Sequence, residues 1–195
     1  MSNQNVDRVE KFKSITTEVF ALTLGLGAFS LAIVPRTSMI EVARAIALFA
    51  IAFAYIAIIW IVDSRFFENY RLYDNAFLAL NFLILFLVAI SPFLMQTFSM
   101  SSDFADSMSI LYALDVMGIF ALLGTLHQRY LQQNSNHLKG EEIQEVKMDR
   151  NMQFIISAWF LLSVLMPLQY RFVFWVLLAP IPPIYRHCIG PLVTK

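Results

Sequence analysis

The stretch "SITTEVFALTLGLGAFSLAIVP", Ser14 to Pro35, opens with polar residues, carries Glu18, and then runs from Val19 to Val34 without a charge. Three readings compete for it: a cleaved signal, a core helix, or a helix that spans a membrane. The signal reading is disfavoured. Lys11 and Lys13 precede the apolar run, but Asp7, Glu10 and Glu18 put acids where a signal's basic start belongs, and no small-x-small cleavage site follows. Composition weighs against a soluble core. The chain of 195 residues is 58% hydrophobic, 14% aromatic and only 14% charged, with a mean hydropathy of +0.64, which is more apolar surface than a soluble domain of this size can bury.

Five further apolar runs follow, each separated from the next by polar punctuation, as expected where every segment must satisfy its own backbone in lipid. The predicted helices are 14–34, 40–62, 73–98, 107–126, 151–167 and 170–185, the last two joined by a tight turn at Pro167 and the last bent or ended by Pro180, Pro182 and Pro183. The expected fold is therefore all-α: a single, multi-pass transmembrane domain over 1–195. The one long hydrophilic stretch, 132–150, is expected as a cytoplasmic linker, helical in part from Glu141. No internal duplication is visible.

With alternating helices, 11 of the 14 Lys and Arg residues fall on one side, and only Arg36, Arg44 and Arg171 lie towards the other. The positive-inside rule then places both termini in the cytoplasm, as an even number of spans requires. A formal net charge of zero argues against a nucleic-acid partner. The single cysteine, Cys188, excludes an intrachain disulfide. No zinc, nucleophile-elbow or phosphate-loop motif is present, and His127, His137 and His187 fall at expected loops or helix ends, so no enzyme, metal or cofactor is expected.

Ionisable residues within apolar helices are costly and therefore informative. Asp115, in "LYALDVMGIF", is either a structural acid hydrogen-bonded to a neighbouring helix or paired with Arg44 or Arg171, or a proton-coupling group. Asn75 and Asn81 suit interhelical hydrogen bonding.

At 100° per residue, the opening stretch has two stripes. Ile15, Glu18, Leu22, Leu26, Phe29 and Ile33 share one face; Thr16, Thr23, Gly27 and Ser30 share another about a third of a turn away. The second suits close helix packing. The first fits lipid contact, bundle core, or an apolar pore with a Glu18 ring at its inner mouth. Periodicity does not separate these.

"WIVDSRFFENYRLYDNAFLALNFLILFLVAISPFLMQTF", Trp60 to Phe98, resembles the second and third helices of bacterial and archaeal homologues of the endolysosomal potassium channel transmembrane protein 175. "EVFALTLGLGAFSLAIVP" is similar to that family's first helix, "LYALDVMGIFALL" to its fourth and "AWFLLSVLMPLQY" to its fifth. The resemblance implies six transmembrane helices per subunit, a homotetramer in the prokaryotic plasma membrane, monovalent cations as the permeating species, and a central pore lined by helix one. Carried over on Val19-Phe20-Ala21, the family's narrow hydrophobic position falls on Leu22, with Leu26 and Phe29 continuing the constriction. The threonine one turn on becomes Gly25, which implies weak to moderate potassium preference.

This chain diverges from the family at the start of helix one. The Arg-x-x-x-Phe-Ser-Asp motif is replaced by Lys11 and Ile15-Thr16-Thr17, or, aligned on charge, by Arg8 and Phe12-Lys13-Ser14; the His three residues after Trp60 is Asp63. An exchanged pairing, Lys11 or Lys13 with Asp63, would rebuild a structural network beside Trp60. Beside the potassium-permeable channel stand two other expectations: a proton-coupled transporter or proton leak using Asp115 or Glu18, and a non-conducting membrane scaffold that recruits partners through its linker.

Orientation is testable directly. In a Cys188→Ser background, cysteines placed at Asn136 and Ser101 are expected to react with a membrane-impermeant thiol reagent from opposite faces; reaction of both from outside would overturn the assignment.

Overall fold

The computed structural model describes residues 3–33, 38–69, 74–100 and 104–178, with the side chains of 11–29, 38–64, 74–97 and 104–178. Among these residues all regular structure is helical: α1 (Asn3–Ile33), α2 (Met39–Asn69), α3 (Asn75–Met100), α4 (Ala105–Asn134), α5 (Gly140–Ser163) and α6 (Leu168–Val176). α2, α3 and α4 contain segments long and apolar enough to cross a membrane, Met39–Ser64, Asn75–Thr97 and Ala105–Asn134. Pro180, Pro182, Pro183, His187, Cys188 and the end of the expected sixth span lie outside the described residues.

Helix number and order follow the expectation, but the ends do not. α1 starts at Asn3 rather than near Ser14, and its 31 residues span about 47 Å at 1.5 Å per residue, against a hydrocarbon core of about 30 Å. Hydropathy reports only the part of a helix that needs lipid; the polar turns continue the same backbone ladder into water. For the same reason α4 runs on to Asn134, and α5 begins at Gly140, so the helix expected from Glu141 is continuous with the span expected from 151. The expected linker therefore contracts to a turn at 135–139. His127, expected at a helix end, is buried within α4, its ring Nδ1 2.8 Å from the Leu123 carbonyl oxygen.

Local signals explain the starts. Ser38 Oγ accepts from the Glu41 N–H at 3.2 Å at the head of α2, and Asp74 Oδ1 from the Phe77 N–H at 2.7 Å at the head of α3. The Glu142 carboxylate accepts from the Lys139 N–H at 2.9 Å at the head of α5. α3 passes through Pro92, which lacks the N–H owed to the Val88 carbonyl; beside it Ser91 Oγ donates to the Leu87 carbonyl at 3.1 Å.

The described chain packs as two units divided inside α4, between Tyr112 and Ala113. In the first, α1, α2 and α3 pack on one another. Gly27 sets the closest approach: a Cβ there would sit 3.1 Å from the Phe49 ring on α2 and 3.6 Å from Pro92 Cβ on α3. Nearer the start of α1, Phe12 meets Phe82 of α3 edge to face, with centroids 5.1 Å apart.

In the second unit α5 returns along α4. Ser157 Oγ donates to the Met117 carbonyl at 3.1 Å, Phe154 lies over Gly124, and Arg150 donates to Gln128 Oε1 at 2.6 Å. α6 folds back on α5 through aromatic contacts. Trp159 stacks on Phe174 at 4.2 Å and donates to its carbonyl at 2.8 Å, while Trp175 Nε1 donates to Ser163 Oγ at 3.0 Å. Arg171, only 2% exposed, donates to the carbonyls of Ser163 at 3.1 Å and Met166 at 2.8 Å, closing the open C-terminal end of α5.

The Gly27 contact yields a measurable difference. Gly27→Leu must displace Phe49 or Pro92, an overpacking that costs about 1–3 kcal/mol, so the melting midpoint of the solubilised protein is expected to fall by several degrees. Gly25→Leu, where a Cβ meets nothing within 4 Å, is expected to leave it unchanged. An equal fall in both would show that the close approach does not control stability.

Candidate functional site

Burial separates the two stripes of α1. Thr16 and Thr23 are each 3% exposed and Gly27 is buried, so the small-residue stripe is the packing face. Leu22 is 64%, Leu26 54% and Phe29 61% exposed, with Ile15 and Glu18 exposed on the same side. Gly25 sits within this outward arc with open space where a side chain would project. The side chains of Ser30 and Ile33 lie outside the described residues.

A continuous apolar face on a helix whose other side is fully engaged is a surface for something other than its own subunit. Glu18 lies towards the polar end of that face, where its carboxylate accepts from Ser14 Oγ at 3.0 Å. That bond holds a negative charge on the helix surface, one turn before Leu22. Identical copies of such a helix around an axis would present stacked apolar rings beneath which the acid attracts cations.

The expected network at the start of α1 is not brought together. Lys11 is exposed, Trp60 is 40% exposed, and Asp63 is 1% exposed with neither carboxylate oxygen accepting a hydrogen bond among the described residues. Asp63 thus accepts no hydrogen bond from Lys11 or Lys13. Asp63 and Thr16 are both buried, whereas Lys11 is exposed and Lys13 half-buried.

Asp115 is buried at 6% exposure, within the second unit. Asn81, read as interhelical, is 1% exposed and donates through Nδ2 to the Phe77 carbonyl of its own helix at 3.4 Å. Arg171 also caps α5, and its spacing of eight residues from Ser163 across Pro167 is the sequence signal for that role. Among the described residues no three His, Cys, Asp or Glu side chains gather to hold a metal ion.

Residues 11–92, which carry the outward face of α1 and most of its packing partners, match the family described as endosomal/lysosomal potassium channel TMEM175. No curated protein matches the sequence. Among solved structures, a crystal structure described as a lysosomal potassium-selective channel TMEM175 homolog from Chamaesiphon minutus superposes with a TM-score of 0.71 at 19% identity, covering 89% of this chain and 95% of that one. At that identity the likeness establishes the fold. The chain is thus similar to the TMEM175 potassium-channel family in sequence over its first three helices, and has the fold of a bacterial homologue over most of its length.

Proposed function

We propose that this protein is a potassium-permeable cation channel of the prokaryotic plasma membrane, assembled as a homotetramer with α1 around the central axis. The observation that carries the reading is the outward face of α1. Leu22, Leu26 and Phe29 are exposed in a row while Thr16, Thr23 and Gly27 bind the helix to its own subunit. The match of residues 11–92 to a potassium-channel family supports it, because that segment contains this face.

In the tetramer, Leu22 forms the narrow ring, and Leu26 and Phe29 extend it along the axis. An apolar constriction of this kind gates by dewetting, since water leaves a narrow channel that offers it no hydrogen bonds. Glu18, one turn towards the cytoplasm, supplies the charge selectivity that hydrocarbon cannot. Gly25 brings no hydroxyl to the path, so discrimination among monovalent cations is weak to moderate.

Reconstituted liposomes provide the test. Leu22→Asn is expected to raise potassium flux by giving water a partner in the ring, whereas Leu31→Asn, half a turn round the helix by its spacing, leaves flux near the wild-type level. Glu18→Gln is expected to lower cation-over-anion preference while leaving the path open. Flux absent from both the wild type and Leu22→Asn would end the channel reading, and control by Leu31 would move the lining to the other face.

A further inference from the structure

The three-helix unit contains a second polar locus, turned away from the outward face of α1. Thr16 Oγ1, both carboxylate oxygens of Asp63 and Oδ1 of Asn81 are buried, and none has a hydrogen-bond partner among the described residues. Their residues are 3%, 1% and 1% exposed and come from α1, α2 and α3, which pack on one another. Buried polar atoms without partners are rare in folded proteins, and a buried carboxylate is ordinarily paired or bound to a metal.

Spacing from two interhelical contacts puts the three residues within about a turn and a half of one another along the bundle. Gly27 marks a common height with Phe49 and Pro92. Thr16 is 11 residues before Gly27 on α1 and Asn81 is 11 residues before Pro92 on α3, while the Phe12–Phe82 contact puts Asn81 about five residues nearer the start of α1 than Thr16; the two contacts together show that α1 and α3 run the same way. α2, joined to α1 by the few residues before Met39, runs back, and Asp63 is 14 residues beyond Phe49. The three residues of offset amount to about 4.5 Å at 1.5 Å per residue, less than one turn. Asn81 gives its amide N–H to the Phe77 carbonyl, which commits its donor side and leaves the oxygen for another guest.

Four oxygen acceptors with one formal negative charge define the guest. Hard oxygen donors favour alkali and alkaline-earth ions over transition metals. A single carboxylate balances one positive charge, and among the described residues no three acidic, His or Cys side chains gather to hold a metal ion. We propose that Thr16, Asp63 and Asn81 form a buried site for one alkali-metal cation, Na+ or K+, clamped between α1, α2 and α3 and separate from the apolar face of α1. The ion ties the start of α1 to the end of α2 and the start of α3.

The test is ion-specific stabilisation of the solubilised full-length protein. Melts are compared in sodium chloride, potassium chloride and N-methyl-D-glucamine chloride at equal ionic strength and pH. An alkali cation in large excess over its dissociation constant is expected to raise the wild-type midpoint by roughly 3 °C or more over the organic cation. Asp63→Asn is expected to abolish that difference, and Thr16→Val, which keeps shape and removes one ligand, to raise the half-saturating concentration about tenfold or more. Leu22→Asn is expected to keep the wild-type shift, so loss of the pore reading and loss of the cation site are separable. If Asp63→Asn does not fold, Thr16→Val decides. No alkali-specific shift in the wild type would mean that water or a protonated carboxyl fills the locus, and a shift that survives Asp63→Asn or is unchanged in Thr16→Val would place the ion elsewhere; either result overturns the proposal.

Discussion

The contact of Gly27 with Phe49 and Pro92 governs how the first three helices can be used. In lipid there is no hydrophobic pressure between helices, so association depends on close packing and on polar contacts. A residue without a side chain lets α1 approach α2 and α3 together, and Thr16 and Thr23 continue that approach on the same stripe. Once that stripe is engaged, the rotation of α1 is settled. Leu22, Leu26 and Phe29 point outward because the opposite side of the same helix is held.

The second unit solves a different problem with different chemistry. A helix that ends within an apolar region leaves carbonyls that water cannot reach. Arg171 supplies donors to the end of α5 from the helix that follows, and the indoles of Trp159 and Trp175 each combine a ring contact with a hydrogen bond to the facing helix. Arg171 donates to main-chain carbonyls here, and its planar fork suits divergent carbonyls better than a lysine would.

Much of this was legible because the governing periods are short. The stripe of Thr16, Thr23 and Gly27 and the stripe of Leu22, Leu26 and Phe29 are both visible at 100° per residue, and burial separates them as spacing did. The helix ends at Asn3 and Asn134 were not legible from hydropathy, since polar turns beyond a span carry no apolar signal, whereas the helix expected from Glu141 starts within one residue of that position, and Ser38, Asp74 and Glu142 mark three helix starts at single-residue resolution. Asp63 was read as one half of an ion pair because charge complementarity can be proposed from a list of residues, whereas the direction of a side chain cannot. The division within α4 between Tyr112 and Ala113 has no counterpart in composition, because the helix runs unbroken through it.

The short turn between α4 and α5 has a consequence for any protein that binds the polar end of this one. Gln128 and Arg150 bridge the two helices just before the chain reverses, and only 135–139 separate their ends. A partner would meet two stiff, antiparallel helical tips rather than a pliable peptide it could draw into an extended groove. Recognition there is recognition of a surface, and its specificity would vanish on excision of the segment from its support. A synthetic peptide copying 132–150 would lack the bundle that shapes it, so it would compete poorly for anything the intact hairpin binds.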